Sequence, residues 1–214
     1  MLLELKKEVL RVSRLAEDSG LCHHGGGNFS MVDRELNQLA ITPHAESRYA
    51  IEAEDLIVMD IDGNILENRK NLSPSSETVV HLEVLKARPD ITAVCHTHAR
   101  YSATFAVINK PVKPVICEAF MYGAVCRVAP FELPGTIELA RSAVAGLAGT
   151  QAVILQKHGL LTIGRSIYEA FLKAVYVEDV AEVCLRAASV VGYDNLDAFN
   201  DEEIVKISRH LKAS

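Results

Sequence analysis

The 214-residue sequence lacks several features that mark specialised classes of protein. No apolar run approaches the length needed to span a bilayer, so we do not expect contact with a membrane. The N-terminal segment carries acidic residues in an amphipathic helical pattern, unlike the apolar core of a secretory signal. The net charge of −6 is spread along the chain without a basic block, so nucleic acid is not an expected partner.

The sequence also lacks cysteine pairs with the spacing typical of zinc fingers or redox-active disulfides. The five cysteines are odd in number, and none forms a CxxC pair. This usage is typical of reduced thiols in a cytosolic protein, and most of them are expected to fill core space. The sequence shows no linker, low-complexity tract or internal repeat. We therefore expect one cytoplasmic domain spanning residues 1–214, which is long enough for one well-buried core.

The spacing of apolar residues predicts helices that alternate with short strands. The predicted helices cover residues 3–19, 73–87, 101–108, 136–147, 167–191 and 201–211. The predicted strands cover residues 28–32, 38–42, 56–61, 65–66, 91–98, 152–156 and 160–163. Ser73 and Pro74 suit the start of the second helix, as N-cap and first helical residue. Helices separated by hairpin-linked strands indicate an α/β fold around a largely antiparallel sheet.

The most informative segment is His96-Thr97-His98. Residues at i and i+2 of a strand project to one face, so both imidazoles can reach one point. With a third histidine and a carboxylate they would form a site suited to catalytic Zn²⁺ or a similar ion. An HxH pattern alone also occurs by chance, with one imidazole bonded in the core and the other in solvent.

Several other residues are candidates for the same site. His158 lies in a predicted turn between two apolar strands, and Glu77 lies near a helix start, where Ser75 and Ser76 adjoin free backbone N–H groups suited to an anion. Asn28 follows three glycines, whose backbone allows close approach of a ligand. Taken singly, each has a simpler explanation: a surface turn, ordinary helix capping or a flexible loop.

Taken together, these residues resemble the class II aldolase/adducin family, most closely its L-fuculose-1-phosphate aldolase-like members. The resemblance covers about residues 4–190. The matching motifs occur in the family order: Gly27-Asn28-x-Ser30, Ile41-Thr42-Pro43, Pro74-Ser75-Ser76-Glu77, His96-Thr97-His98, Ala129-Pro130-Phe131 through Pro134-Gly135-Thr136, and Gln156-Lys157-His158-Gly159-Leu160. This resemblance implies an α/β/α three-layer domain and a four-fold symmetric homotetramer with active sites at the subunit interfaces.

The resemblance also implies the ligands and the reaction. His96, His98, His158 and Glu77 would bind one Zn²⁺ per subunit, although other divalent ions suit such ligands. The substrate would be a small sugar phosphate, a short ketose phosphate cleaved through a zinc-stabilised enediolate to dihydroxyacetone phosphate or a similar fragment plus an aldehyde. Glu77 would be the acid/base. The predicted substrate-binding residues are Gly27, Asn28, Thr42, His44, Ser75 and Ser76.

The match departs from the family pattern at two places near the site. His44 and Ala45 replace the usual Thr-Gly, so His44 and Arg48 would either offer donors to the anion or lie in a solvated loop. Glu118 stands where the aldolases have a tyrosine, and would be a second acid/base or a polar residue at an interface. His81 is expected on a helix surface.

The leading hypothesis is therefore a zinc-dependent class II aldolase. An epimerase, a dehydratase or a sugar-acid-phosphate decarboxylase on the same scaffold is the nearest alternative, which Glu118 and the altered loop favour. Glu77 favours the aldolase, because the epimerase-type members have aspartate there. A non-catalytic adducin-like module is a further alternative, but such modules have lost metal ligands, whereas all three histidines and Glu77 persist here. A zinc-stabilised structural protein is the fourth alternative.

Overall fold

A single sheet organises the protein, whose computed structural model describes residues 2–213. Its strand order is β4-β3-β2-β1-β5-β8-β7-β6. The strands are β1 (Asn28–Asp33), β2 (Gln38–Ile41), β3 (Ile57–Met59), β4 (Ile65–Glu67), β5 (Ala93–Thr97), β6 (Arg127–Ala129), β7 (Ala152–Leu155) and β8 (Gly159–Gly164). Every neighbouring pair is antiparallel except β6 and β7, which are parallel. The predicted largely antiparallel sheet is confirmed, although β6 was not predicted.

Helices cover both faces of the sheet. They are α1 (Leu2–Asp18), α2 (Thr78–Ala87), α3 (Arg100–Ile108), α4 (Ile137–Gly146), α5 (Ile167–Val191) and α6 (Asp201–Ala213). Helices α1, α3 and α5 share one buried apolar core with the sheet, and α2 and α4 share a second core on its other face. The three-layer α/β/α architecture is therefore confirmed. Within residues 2–213, no helix combines the length and apolar character needed to cross a bilayer.

The alternation of side chains along β1 and β5 places polar groups toward α2. Phe29 and Cys95 point into the core beneath α5, whereas Val94 points into the core beneath α2. Ser30 pairs with Val94 and Asn28 pairs with His96 in the antiparallel register. Because side chains alternate between faces, Asn28, Ser30 and His96 all lie on the α2 side.

Helix α2 begins later than the sequence predicts. Its first residue is Thr78 and its N-cap is Glu77. Residues 73–76 therefore lie before the helix, in a loop that ends in a turn. Pro74 forms an isolated antiparallel bridge with Pro43, and His44 N–H donates to the Ser73 carbonyl at 2.9 Å. The assignment of Ser73 and Pro74 to the helix start was wrong because this pairing between two loops overrides the local preference for a helix.

Candidate active site and metal centre

Three histidines converge at one end of the sheet. His96 is near the end of β5, His98 directly follows that strand, and His158 lies in the turn that joins β7 to β8. Since β5 pairs with β8, this turn is held beside His96. The three ring centroids are 4.7, 4.8 and 5.2 Å apart, and one nitrogen of each ring lies within 4.8 Å of the others. The structure thus brings together the three histidines that the sequence singled out.

Glu77 adds a carboxylate from the α2 layer. Its Oε2 lies 3.4 Å from His96 Nε2, and its Oε1 lies 3.3 Å from His158 Nε2. The residue is only 3% exposed, and Oε2 has no hydrogen-bond partner. Although Glu77 is the N-cap of α2, its side chain does not cap the helix. The carboxylate therefore faces the histidines rather than its own helix.

The imidazoles are neutral in this environment. Burial lowers the pKa of His96 well below its usual range, and burial together with the neighbouring His98 lowers the pKa of His158 to about 4. His96 Nδ1–H donates to the Leu160 carbonyl at 2.9 Å, so its Nε2 presents a lone pair to His98 Nε2 2.8 Å away. Burial also raises the pKa of Glu77 to about 7. The contacts between Glu77 and the rings are thus not ion pairs with imidazolium groups.

This donor set fits a divalent cation. Neutral imidazole nitrogens and a carboxylate oxygen are the ligands of catalytic zinc and of similar ions. The Leu160 carbonyl fixes the ring orientation of His96, as carbonyl partners commonly do for metal-bound histidine. A buried carboxylate oxygen without a hydrogen-bond partner is unfavourable unless a cation compensates it. His96, His98, His158 and Glu77 could together hold one such ion.

A cavity of about 310 Å³ opens beside these residues. Loop residues surround the rest of it and include most of the predicted substrate-binding set. Apart from the four candidate metal ligands, the cavity is lined by His24, Gly25, Gly26, Gly27, Asn28, Pro43, His44, Ala45, Ser75, Ser76 and Pro134. The bridge between Pro43 and Pro74 explains why His44 lies close to the two serines.

Gly27 is required by the close packing of its loop. Its φ of +73° is rarely adopted by other residues, and a Cβ there would lie 2.5 Å from the His96 carbonyl oxygen. Arg48 fixes the same loop, because its guanidinium donates to the carbonyls of Gly26 and Gly27 at 2.6 and 2.9 Å. Arg48 is buried, so it neither lies in a solvated loop nor offers its guanidinium to the cavity.

Two residues predicted for the site lie outside the cavity. Thr42 is buried, and its hydroxyl accepts a hydrogen bond from the Phe29 N–H at 3.1 Å, which makes it a structural contact between β1 and the segment after β2. Glu118 is exposed on a short 3₁₀ helix (Cys117–Met121), and its neighbour Ala119 packs in the core beneath α5. The layer that carries Glu118 is therefore opposite the α2 layer that carries Glu77.

His81 lies beside the site, where the sequence motifs did not place it. The predicted surface position is wrong, because His81 is fully buried and lies between Ser30 and Asn28. Its position four residues after Glu77 places both side chains on one face of α2. This spacing was the available signal, but α2 was expected to have a solvent-exposed face there.

Comparison with known proteins agrees with the geometry. A family model for the Class II Aldolase and Adducin N-terminal domain matches residues 7–185. The 5-deoxy-D-ribulose 1-phosphate aldolase of Bacillus thuringiensis serovar kurstaki is 32% identical over 185 residues, 86% of each chain. An L-fuculose phosphate aldolase of Methanococcus maripaludis is 32% identical over 176 residues, 82% of this chain and 93% of that protein.

A solved structure extends the likeness to the whole fold. That structure, an L-fuculose 1-phosphate aldolase, superposes with a TM-score of 0.91 at 31% identity and covers 98% of this chain and 96% of its own. The family match, the curated relatives and the shared fold agree with the motifs quoted above. The chain belongs to the class II aldolase/adducin family.

Proposed function

We propose that the protein is a metal-dependent aldolase that cleaves a short ketose 1-phosphate into dihydroxyacetone phosphate or a similar fragment and an aldehyde. The observation that supports this most strongly is the convergence of three neutral imidazoles and Glu77 on one point of a cavity. The relatives named for deoxyribulose and fuculose phosphates support the same class of substrate.

His96, His98, His158 and Glu77 are the residues that would hold the ion, one per chain. Zn²⁺ suits this set, and Mn²⁺ or Co²⁺ would also suit it. When bound, the ion acts as a Lewis acid on the carbonyl and neighbouring hydroxyl oxygens of the ketose. The histidines are neutral and the Leu160 carbonyl orients the ring of His96, so no imidazolium charge opposes the binding of a cation.

The loop side of the cavity would hold the phosphate. Asn28, Ser75 and Ser76 line it with amide and hydroxyl groups, and His44 adds an imidazole at the position where the family usually has threonine. The constrained backbone at Gly27 keeps this loop against β5. Because the phosphate would be held at this end, C2 and C3 of a 1-phosphate would lie toward the histidines.

Cleavage requires two proton transfers, which this arrangement can supply. The C3–C4 bond breaks, the C4 hydroxyl loses its proton as it becomes the aldehyde carbonyl, and the electron pair passes to C3. A proton must then be added to C3 to complete the ketone product. Glu77 is the carboxyl group nearest the three histidines, so we assign it the proton transfer at C3.

Glu118 can contribute only if another subunit brings it to the cavity. It is exposed and lies on the opposite layer from Glu77 within its own chain. We propose a homotetramer in which sites form at subunit interfaces, with Glu118 as a second acid/base. Exposed Phe131 and Leu133, close in sequence to the cavity residue Pro134, offer apolar surface for such contacts.

All five cysteines are free thiols, which agrees with a cytoplasmic setting.

Mixing two variants tests this role of Glu118. Glu77→Gln and Glu118→Gln subunits, unfolded and reassembled together, should regain about a quarter of the wild-type activity if one site uses Glu77 and Glu118 from different chains, because a random mixture leaves about that share of sites intact. Each variant reassembled alone is the control. Full activity of Glu118→Gln by itself would limit Glu118 to a surface or interface role.

A panel of ketose phosphates tests the proposed reaction. 5-Deoxyribulose 1-phosphate and fuculose 1-phosphate are incubated with the metal-loaded and the chelator-treated protein, and both the aldehyde and the triose phosphate are measured. We expect both products in equal amounts, and only with metal. Full activity in the metal-free protein would reject the proposal, and an isomeric product without cleavage would indicate an epimerase on the same scaffold.

A further inference from the structure

A buried chain of three polar side chains runs behind the cavity. Ser30 Oγ lies 2.6 Å from His81 Nδ1, and His81 Nε2 lies 2.6 Å from Asn28 Oδ1. Ser30 and His81 are fully buried, and Asn28 is 8% exposed where it lines the cavity. This hydrogen-bonded series of side chains therefore begins in the core at Ser30 and ends at the proposed phosphate site at Asn28.

Two elements build this chain. Asn28 and Ser30 are at i and i+2 of β1, so they share the face that packs toward α2. His81 is on α2, one turn after Glu77, and its backbone N–H donates to the Glu77 carbonyl at 3.3 Å. The same first turn of α2 thus places Glu77 among the candidate metal ligands and His81 against Asn28.

The hydrogen-bond roles in the chain follow from the number of protons. His81 is fully buried and its ring nitrogens face a hydroxyl and an amide rather than a carboxylate, so the ring is neutral and carries one N–H. The Asn28 oxygen can only accept, so this N–H is on Nε2, and Nδ1 accepts from the Ser30 hydroxyl. With its oxygen bound to His81, Asn28 has its NH₂ group left to face the cavity.

We propose that His81 is a positioning residue that fixes the amide of Asn28 with its two N–H donors toward the phosphate of the substrate. Without this bond the amide could rotate and present its oxygen, which would repel an anion. The inference rests on the proposed function for the identity of the ligand, but not for the orientation of Asn28. A buried histidine that only fills space would need no particular tautomer and would not alter anion affinity.

Two variants of His81 separate these roles. In His81→Gln the amide nitrogen can replace Nε2–H and still donate to Asn28. In His81→Asn the shorter side chain reaches toward Ser30 but leaves Asn28 without its partner. We expect His81→Gln to keep the KM for a ketose 1-phosphate within about threefold of wild type. His81→Asn should raise it roughly 10- to 100-fold with kcat nearly unchanged, as expected for one lost hydrogen bond to a charged group.

Inorganic phosphate, used as the probe, makes the test independent of turnover. Calorimetry should show phosphate binding to wild type and to His81→Gln, and binding at least about tenfold weaker to His81→Asn and Asn28→Ala. If wild type binds phosphate in this pattern but cleaves no ketose phosphate, the proposed function fails and the inference stands. Equal phosphate affinity in the two folded His81 variants would overturn the inference.

Nuclear magnetic resonance of the wild-type protein provides a measurement that no folding defect can affect. Long-range ¹H–¹⁵N correlation of labelled histidines reports which ring nitrogen of His81 carries the proton. We expect the Nε2–H form throughout the pH range in which the protein is folded. A proton on Nδ1 would mean that Asn28 presents its oxygen to the cavity, which contradicts the proposal.

Discussion

The two halves of the cavity are built in different ways. The proposed metal-binding half has its candidate ligands at the ends of paired strands and at a helix N-cap, with His96 and Glu77 almost fully buried. The proposed anion-binding half consists mostly of loop residues, and Ser76 and His44 in it are exposed. Ser75 and Asn28 in it are buried, and Asn28, on β1, is also held by its hydrogen bond to His81.

Under the proposed function, this difference separates the residues of the reaction from those that select the substrate. The sheet register fixes the histidines relative to one another. The packing around them is tight, because any side chain in place of Gly159 would put its Cβ 2.5 Å from the Thr97 carbonyl oxygen. Changes in the loops at His44 and Ala45 leave that register intact. Under the proposed function, the metal-binding half can therefore stay constant while the anion-binding half adapts to different phosphorylated sugars.

The largest expected effect comes from a change in the metal-binding half. His96→Ala removes a fully buried ligand, and activity should fall roughly a thousandfold or more because several kcal/mol of Lewis-acid stabilisation would be lost. His210→Ala, at the exposed end of α6, is the matched histidine control. The aldehyde-release assay checks both variants. A His96→Ala enzyme with a tenth of wild-type activity would contradict this description of the site.

Glu77→Gln should have the next largest effect. The substitution keeps the shape of the side chain but removes the proton acceptor, so kcat should fall by about 100- to 10,000-fold. Glu83→Gln, on the same helix, is the control and should be nearly neutral. Unchanged turnover together with a lower melting temperature would instead support a structural metal site.

The buried histidine of the anion-binding half should make stability depend on pH. The pKa of His81 is about 3 in the folded protein and near 6.5 in the unfolded chain, so folding requires release of a proton below pH 6.5. Its stabilisation is complete above that pH and is lost as the pH falls. Between pH 7.5 and 5, wild type should lose about 2 kcal/mol more than His81→Gln in urea unfolding. Parallel curves for the two proteins would exclude a neutral His81.

The smallest effect is expected at the exposed edge of the anion-binding half. Ser76→Ala removes one hydroxyl from the cavity wall and should raise the KM for a ketose 1-phosphate about three- to tenfold, with kcat unchanged. Ser73→Ala, in the same segment but outside the cavity lining, is the control. A fall in kcat with KM unchanged would place Ser76 in the metal-binding half instead.

Much of the fold could be predicted from local sequence signals. Thr136 caps α4 as predicted, with its hydroxyl accepting from the Leu139 N–H, and α5 spans the predicted residues 167–191. The start of α2 could not be predicted, because the bridge between Pro43 and Pro74 joins distant segments. Strand β6 was missed for a similar reason, since its three residues pair in parallel with β7.

The candidate site, too, could be predicted only in part from local sequence signals. The convergence of His96 and His98 follows from strand periodicity, and His158 was recognised by its motif rather than by any local rule. The partners of His81 are Asn28 and Ser30, which lie more than 50 residues away in sequence, so its burial was not predicted although its helical spacing from Glu77 agrees with it. Thr42 was assigned to substrate binding by motif, and the structure places it outside the cavity lining, with its hydroxyl accepting from the Phe29 N–H.

The most direct test of the central claim is a calorimetric titration of the metal-free protein with Zn²⁺. Wild type and His210→Ala should each bind one ion per chain with the same affinity. His158→Ala should bind at least about 100-fold more weakly, because it loses a ligand that only the folded turn between β7 and β8 supplies. Equal stoichiometry and affinity in wild type and His158→Ala would contradict a site formed by the three histidines and Glu77.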